Sequence, residues 1–386
     1  MKCDIRTLIV ATTSYAGMGP YVMSIINTFS EDEDVFFCLR DYEDDYFQKN
    51  VKRSLIVKCK FYKKDNSSWN KLTEMLFGDS KFDDLVCKIC KENSIEVVHY
   101  INRPVPRRML NILNNMGIHT VGTVHDLHPH EAKKSFHKMF RERMCSREIF
   151  SDLQENNLII TNGREQYDEL RNLFPEKTVY FHSFPPLISE AIAEGKDCPA
   201  ELKMVKNPYI LFFGRIEEYK GLKLLYDAFL SSEIFSENFS LVIAGNGDIP
   251  FSRRENEKNV VWIHRYIKDT EVRTLYENAK CVVYPYISAT QSGVLSVSFY
   301  FQTPTIVSDV PFFRSIMDLS SAGLVFENGN MKDLQCKMEK LLYSDSDVYR
   351  ERQRIFYEEN YNTLAIHEKL NEIYLEIGKS ILSNKK

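Results

Sequence analysis

Short runs of apolar and β-branched residues alternate along the chain with longer stretches of helical periodicity. In the first half the runs are Thr7–Ala11, Val35–Leu39, Leu55–Val57, Val97–Tyr100, His119–Thr123, Leu158–Thr161 and Thr178–Phe181. In the second half they are Tyr209–Phe213, Ser240–Ala244, Val260–His264, Cys281–Tyr284, Pro304–Ser308 and Gly323–Phe326. Each reads as a continuous apolar segment, which suits strands buried on both faces. The helical patterns between them, such as Tyr21–Phe29, Arg107–Asn115, Leu222–Leu230 and Asp269–Asn278, supply the covering layers. The pattern predicts an α/β chain with two doubly wound parallel-sheet domains facing a cleft.

Prolines at 185, 186, 199 and 208 discourage helix and strand ladders, so a linker is expected over 185–207. It separates an N-terminal domain, 1–184, from a C-terminal domain, 208–360. The remainder, 361–386, carries an apolar stripe of Leu364, Ile366, Leu370, Ile373, Tyr374 and Ile377 at helical spacing.

Composition narrows the function classes. At 386 residues, 44% hydrophobic and 27% charged, the chain has a soluble globular make-up and is long enough for two domains. Lysine plus arginine total 50 against 54 acids, so the basic excess that displaces counterions from nucleic acid is missing, and no nucleic-acid partner is expected. Nine scattered cysteines suit reduced thiols in a cytoplasmic protein. Cys87 and Cys90 form a C-x-x-C without a second ligand pair, inside a helical pattern at Asp83–Asn93, and read as small buried residues rather than metal ligands. No signal peptide is expected from the first residues. No apolar stretch approaches the roughly 18 residues of a spanning helix.

In doubly wound sheets ligands sit at the carboxyl ends of strands, so the strand-to-helix turns hold the candidate chemistry. The first turn, Thr12 to Pro20, offers Gly17 and Gly19 before a helix start, either as a ligand contact or as a plain tight turn. The second, Phe213 to Gly221, places Arg215 and Lys220 over one helix N-terminus. The helix dipole disfavours cations there unless an anion lies between them; the alternative is that both are solvated or paired with Glu217 and Glu218. The third, Tyr284 to Val294, offers Thr290, Gln291, Ser292, Gly293 and Val294 either as an anion nest or as an ordinary N-cap. His125, at the end of His119–Thr123, is either cleft-facing or structural. No Asp-x-Asp marks a metal site, and none is expected.

The order of these features resembles the GT-B glycosyltransferases, and within them glycosyltransferase family 4. The residues that carry it are the Gly17/Gly19 turn, Thr123-Val124-His125-Asp126, Phe212-Phe213-Gly214-Arg215 with Lys220-Gly221, Leu241 to Gly247, Thr290 to Gly293, and Pro304 to Asp309. The resemblance implies two Rossmann-like domains, the last helix packing back on the first, and a nucleotide-diphosphate sugar as donor substrate with no cofactor. It implies that Arg215 and Lys220 grip the donor diphosphate and that His125 contacts the donor sugar. Gly17, Gly19 and Gly245 would approach the sugar-phosphate and nucleotide, with the nucleobase resting near the backbone of Tyr266 and Ile267. It also implies retention of configuration by front-face attack without a metal.

One departure stands out. The family often carries two glutamates eight positions apart in this segment, and here those places hold Thr290 and Ser298. The expected activity is transfer of a sugar to a glycan or lipid-linked acceptor in bacterial surface polysaccharide synthesis. The other readings are a catalytically silent nucleotide-sugar-binding or scaffold protein, and a nucleotide-sugar epimerase on the same fold. Glu131–Arg147 interleaves Lys133, Lys134, Lys138, Arg141, Arg143 and Arg147 with Phe136, Met139, Phe140 and Met144, a basic amphipathic segment suited to peripheral contact with the anionic cytoplasmic face of a membrane or to a solvated charged face.

Overall fold

The computed structural model describes residues 5–14, 18–42, 45–63, 79–125, 127, 149–289, 292–343 and 346–384. Thirteen strands form two sheets among these residues. β1 (Thr7–Ala11), β2 (Val35–Asp41), β3 (Cys59–Lys63), β4 (Val97–Tyr100), β5 (His119–Val124), β6 (Leu158–Thr161) and β7 (Thr178–Phe181) lie in the order β3-β2-β1-β4-β5-β6-β7. β8 (Tyr209–Phe213), β9 (Ser240–Ala244), β10 (Val260–Ile263), β11 (Ala279–Tyr284), β12 (Thr305–Ser308) and β13 (Leu324–Phe326) lie in the order β10-β9-β8-β11-β12-β13.

Every strand pair is parallel. Parallel neighbours need crossovers, and the helices that supply them cover both faces, which is why the central strands are predominantly apolar, with Thr7, His99 and Thr123 as buried polar exceptions. β1 and β9 are buried at all five positions. In the second sheet two separate apolar clusters result, one around Leu211, Val282 and Val307, the other around Ile210, Phe212 and Ile306. In each sheet the strand order reverses at the first strand, between β1 and β4 and between β8 and β11.

One compact unit takes in the described residues up to Pro185 together with those from Asn362 onward; the other is Pro186–Tyr361. The helix Thr363–Asn384 belongs to the first unit because of what it buries. Ile366, Leu370, Ile373, Tyr374 and Ile377 are buried, and the Tyr374 hydroxyl lies 2.7 Å from Nδ1 of fully buried His99, whose Nε2 meets Thr123 Oγ1 at 2.8 Å. His367 and Asn371 of the same helix meet Glu33 Oε1 at 2.7 and 3.2 Å.

Two expectations are corrected. Leu55–Val57 is no strand but part of a 3-10 turn, Arg53–Lys58, in which only Leu55 reaches the core. The paired strand is the next five residues, β3, whose edge position lets it alternate polar and apolar, so no apolar run marks it. The stretch 185–207 also holds more structure than a linker. It contains a helix, Glu190–Glu194, capped by Ser189, and a 3-10 turn, Ala200–Met204. Its polar groups are satisfied by the helix Asp269–Glu277 rather than by a ladder: Asp197 N–H donates to Thr270 O at 3.1 Å, and Thr274 Oγ1 donates to Asp197 O at 2.8 Å.

Candidate functional site

At the switch point of the second sheet, β8 runs through Gly214 and Arg215 into the 3-10 turn Glu218–Lys220 and the helix Leu222–Leu230. Two glycines close this turn. Gly214 has φ 125°, and a side chain there would begin 3.1 Å from Lys220 Nζ. Gly221 has φ 62°, and a Cβ would lie 1.8 Å from the Pro285 carbonyl oxygen of the neighbouring strand-end loop. The loops after β8 and β11 are further tied by Ile287 N–H donating to Tyr219 O at 2.7 Å. Gly221→Ala should therefore lower stability by about 2–4 kcal/mol, from a left-handed backbone plus an overlap that only movement of the 285–289 loop relieves. Denaturant unfolding of the variant checks this, and a change below 0.5 kcal/mol would contradict the close approach.

Lys220 is 8% exposed, and its ammonium makes no hydrogen bond or ion pair with any described residue. Its ammonium instead lies 5.3 Å from the Tyr286 ring centroid and 5.9 Å from that of Tyr219. Burial pulls its pKa below the ordinary lysine value, against the opposing pull of Tyr219 and Glu217. A desolvated cation–π contact is worth about 2 kcal/mol, whereas taking an ammonium out of water costs several. An anion at Nζ would close that deficit.

Arg215 differs. Its side chain is half exposed and its Nε meets Glu217 Oε1 at 3.1 Å, while the rest of the fork has no partner among the described residues. The acid alternative weighed for both cations thus holds in part for Arg215 and not for Lys220.

Beside them the helix Gly293–Tyr300 begins at Ser292, whose side chain makes no cap bond. Ser292 Oγ is buried and comes close enough to the Tyr286 hydroxyl to lower its pKa, yet it reaches full hydrogen-bond geometry with no described group. Leu295 N–H donates to Ser292 O at 3.3 Å, while the Gly293 and Val294 N–H groups have no acceptor among the described residues. The Tyr284 hydroxyl donates to Val294 O at 2.9 Å and pins that turn. Thr290 and Gln291 lie outside the described residues. Ser298, at the second of the usual glutamate places, is fully buried and donates its hydroxyl to Leu295 O at 2.8 Å within its own helix.

Gly245, at the end of β9, donates to Ile263 O at 3.1 Å. After β10, Tyr266 is exposed and Ile267 buried. That loop is held by a residue sequence reasoning missed. Arg265 donates to Glu271 at 2.8 Å through both terminal nitrogens, to Glu201 at 2.9 and 3.2 Å, and to Tyr266 O at 3.2 Å. The pair of carboxylates raises the Arg265 pKa, and the guanidinium lowers those of Glu201 and Glu271.

In the first unit Gly19 sits in the first turn of the helix Met18–Ile26, after β1, while Gly17 lies outside the described residues. Asn102, also unforeseen, shapes the β1 turn. Its Oδ1 accepts from Thr12 N–H and Oγ1, both at 3.1 Å, and its Nδ2 donates to Thr13 O at 3.0 Å. His125 follows β5, with Nε2–H donating to Ile101 O at 3.2 Å and its ring 4.4 Å from that of Tyr21 at 87°. Asp126 and Glu131–Arg147 lie outside the described residues. Cys90 is buried, and burial lifts its thiol to about 12, the state of an inert core cysteine. Among the described residues no group of three or more His, Cys, Asp or Glu is placed to hold a metal ion, and no helix is long and apolar enough to cross a membrane.

Residues 196–363 match the family model of the glycosyl transferases group 1. No curated protein sequence is significantly similar to the chain. The chain is similar to a sucrose-phosphate synthase from Thermosynechococcus elongatus at 15% identity and a TM-score of 0.69, covering 97% of this chain and 100% of that one. It is similar to Anabaena HepE in complex with UDP at 12% identity and 0.67, covering 96% and 100%. A third likeness is to WaaG, a glycosyltransferase involved in lipopolysaccharide biosynthesis, at 13% identity and 0.60, covering 95% and 99%. Two parallel-sheet α/β domains of seven and six strands with these neighbours make the fold GT-B.

Proposed function

We propose, on the premise that residues 196–363 form a glycosyl transferases group 1 domain, that the chain moves a sugar from a nucleotide-diphosphate donor to a glycan or lipid-linked acceptor. The observation that carries the reading is the buried Lys220 ammonium, which forms no ion pair with a described residue, next to a helix N-terminus whose Ser292 side chain makes no cap bond. As the glycosidic C–O bond lengthens, negative charge gathers on the departing diphosphate. A cation and N–H groups already in place stabilise that charge more in the transition state than in the ground state. Lys220 acts as the fixed point charge, and Arg215 adds its free guanidinium donors at the solvent side. His125 is assigned to the sugar, and the backbone of Tyr266 and Ile267, braced by Arg265, to the nucleobase.

We take the transfer to retain configuration, with the donor phosphate receiving the acceptor proton and the two side-chain cations doing the work a metal does elsewhere. HepE binds UDP and, in a second structure, UDP and glucose, while WaaG acts in lipopolysaccharide biosynthesis. Those likenesses favour a nucleoside diphosphate donor and a role at the cytoplasmic side of a bacterial surface-polysaccharide route. The buried hydroxyl of Ser298 favours one other reading, a silent nucleotide-sugar-binding protein.

The test is a thermal-shift series with UDP-, GDP-, ADP- and dTDP-sugars, followed by donor hydrolysis. A ligand at 100 times its Kd adds about 2.7 kcal/mol. No shift with any nucleoside diphosphate would remove the reading, and binding without slow hydrolysis or transfer would select the silent protein. Arg215→Ala is expected to lower kcat/KM about tenfold, less than loss of Lys220, because its charge is shared with Glu217 and screened by water.

A further inference from the structure

His125 is held by a buried polar chain that no apolar core requires. Starting at the far end, His182 Nδ1–H donates to Ser183 O at 2.9 Å, which leaves Nε2 as an acceptor for Asn162 Nδ2 at 3.1 Å, and the same Nδ2 donates to His182 O at 3.3 Å. Asn162 Oδ1 in turn accepts the Tyr21 hydroxyl proton at 3.0 Å. The Tyr21 ring, fully buried, stands against the His125 ring on one side and against Phe184, 5.2 Å away, on another.

The donor directions agree along the whole chain. The carbonyl of Ser183 fixes the His182 tautomer, the His182 ring and its own carbonyl hold Asn162 Nδ2, and Asn162 leaves its oxygen for Tyr21. Burial lowers the His182 pKa to about 4 and raises that of Tyr21, so His182 stays an acceptor and Tyr21 a donor at neutral pH. A phenylalanine at 21 would fill the same volume with no partner to satisfy. A directional buried network gives little net stability but strong geometric definition.

We propose that Tyr21 and Asn162 are positioning residues for His125, holding its ring so that Nε2–H stays on Ile101 O and the neutral Nε2–H tautomer is the one presented to a ligand. The functional weight of that orientation rests on the sugar-facing role proposed above; the orientation itself does not.

The test uses the full-length chain with Tyr21→Leu, and Tyr21→Phe as the milder variant should the first not fold. Long-range 1H–15N correlation of the His125 ring should show the Nε2–H form in wild type and a mixed tautomer pattern in the variants, with the His99 pattern unchanged as a fold control. An unaltered His125 pattern in a folded variant would overturn the proposal. In donor turnover, Tyr21→Leu should lower kcat about 10- to 100-fold with nucleotide KM nearly unchanged, and should add nothing in a His125→Ala background. Fully additive losses would also overturn it, since they would mean a structural effect unrelated to His125. Absence of turnover in wild type, with the tautomer shift still present, would count against the sugar-transfer reading and leave the positioning role standing.

Discussion

Lys220→Met is expected to change two properties in opposite directions. Donor turnover should fall about 10²–10³-fold in kcat/KM, the usual effect of losing one preorganised group at a developing charge. The ligand-free protein should become more stable, on the order of 1–4 kcal/mol, because an uncompensated buried ammonium is exchanged for an apolar chain of similar volume. The gain should vanish when a nucleotide sugar is present, since the anion that offsets the charge then favours wild type. Denaturant midpoints with and without ligand, beside steady-state kinetics, read both effects. A variant less stable than wild type in the absence of ligand would show that the protein already compensates Lys220 internally. Unaltered turnover would take the cation out of the chemistry.

The second large effect is acid destabilisation of the unit that holds His99 and His182. Burial lowers their pKa values to about 3 and about 4, against about 6.5 in an unfolded chain. Below pH 6.5 the unfolded state takes up protons that the folded state refuses, so stability declines as pH falls. The decline is about 1.4 kcal/mol per pH unit for each histidine. It continues to about pH 4 for His182 and about pH 3 for His99. Between pH 6 and 4.5 the two together should give a slope of about 2–2.5 kcal/mol per pH unit. The lowered pKa of Glu33 adds loss of the same sign further down. Urea midpoints measured from pH 7.5 to 4.5 test this, with His182→Gln expected to remove about half of the histidine-linked slope. A flat profile down to pH 5 would refute it.

Much of the architecture can be read from residue pattern alone, because a strand covered on both faces has no choice but to be apolar. β1, β4, β8 and β9 are plain in the sequence for that reason. β3 is not, since an edge strand with Lys60 and Lys63 lacks such a run, and the apolar triplet just before it misleads. At the site, the proximity of two cations to a helix start was legible, but the partition between them was not. Glu217 sits two residues from Arg215 and three from Lys220, and only backbone geometry decides which it reaches. Arg265, Asn102 and Asn162 were invisible for a different reason. Each has a partner far along the chain, 64, 90 and 141 residues away, and one polar residue in a loop carries no periodicity that announces such a contact.

The excursion of the chain out of its first unit at Pro185 and back at Asn362 fixes an order of events on the ribosome. Segments usually mature as they emerge, amino-terminal first. Here Pro186–Tyr361 has all its strands once residue 361 is out, while the earlier-made sheet still waits for the helix Thr363–Asn384. Until that helix is made, His99 lacks its phenol and Glu33 its amide. The nascent protein therefore carries an unfinished front half throughout translation of the back half.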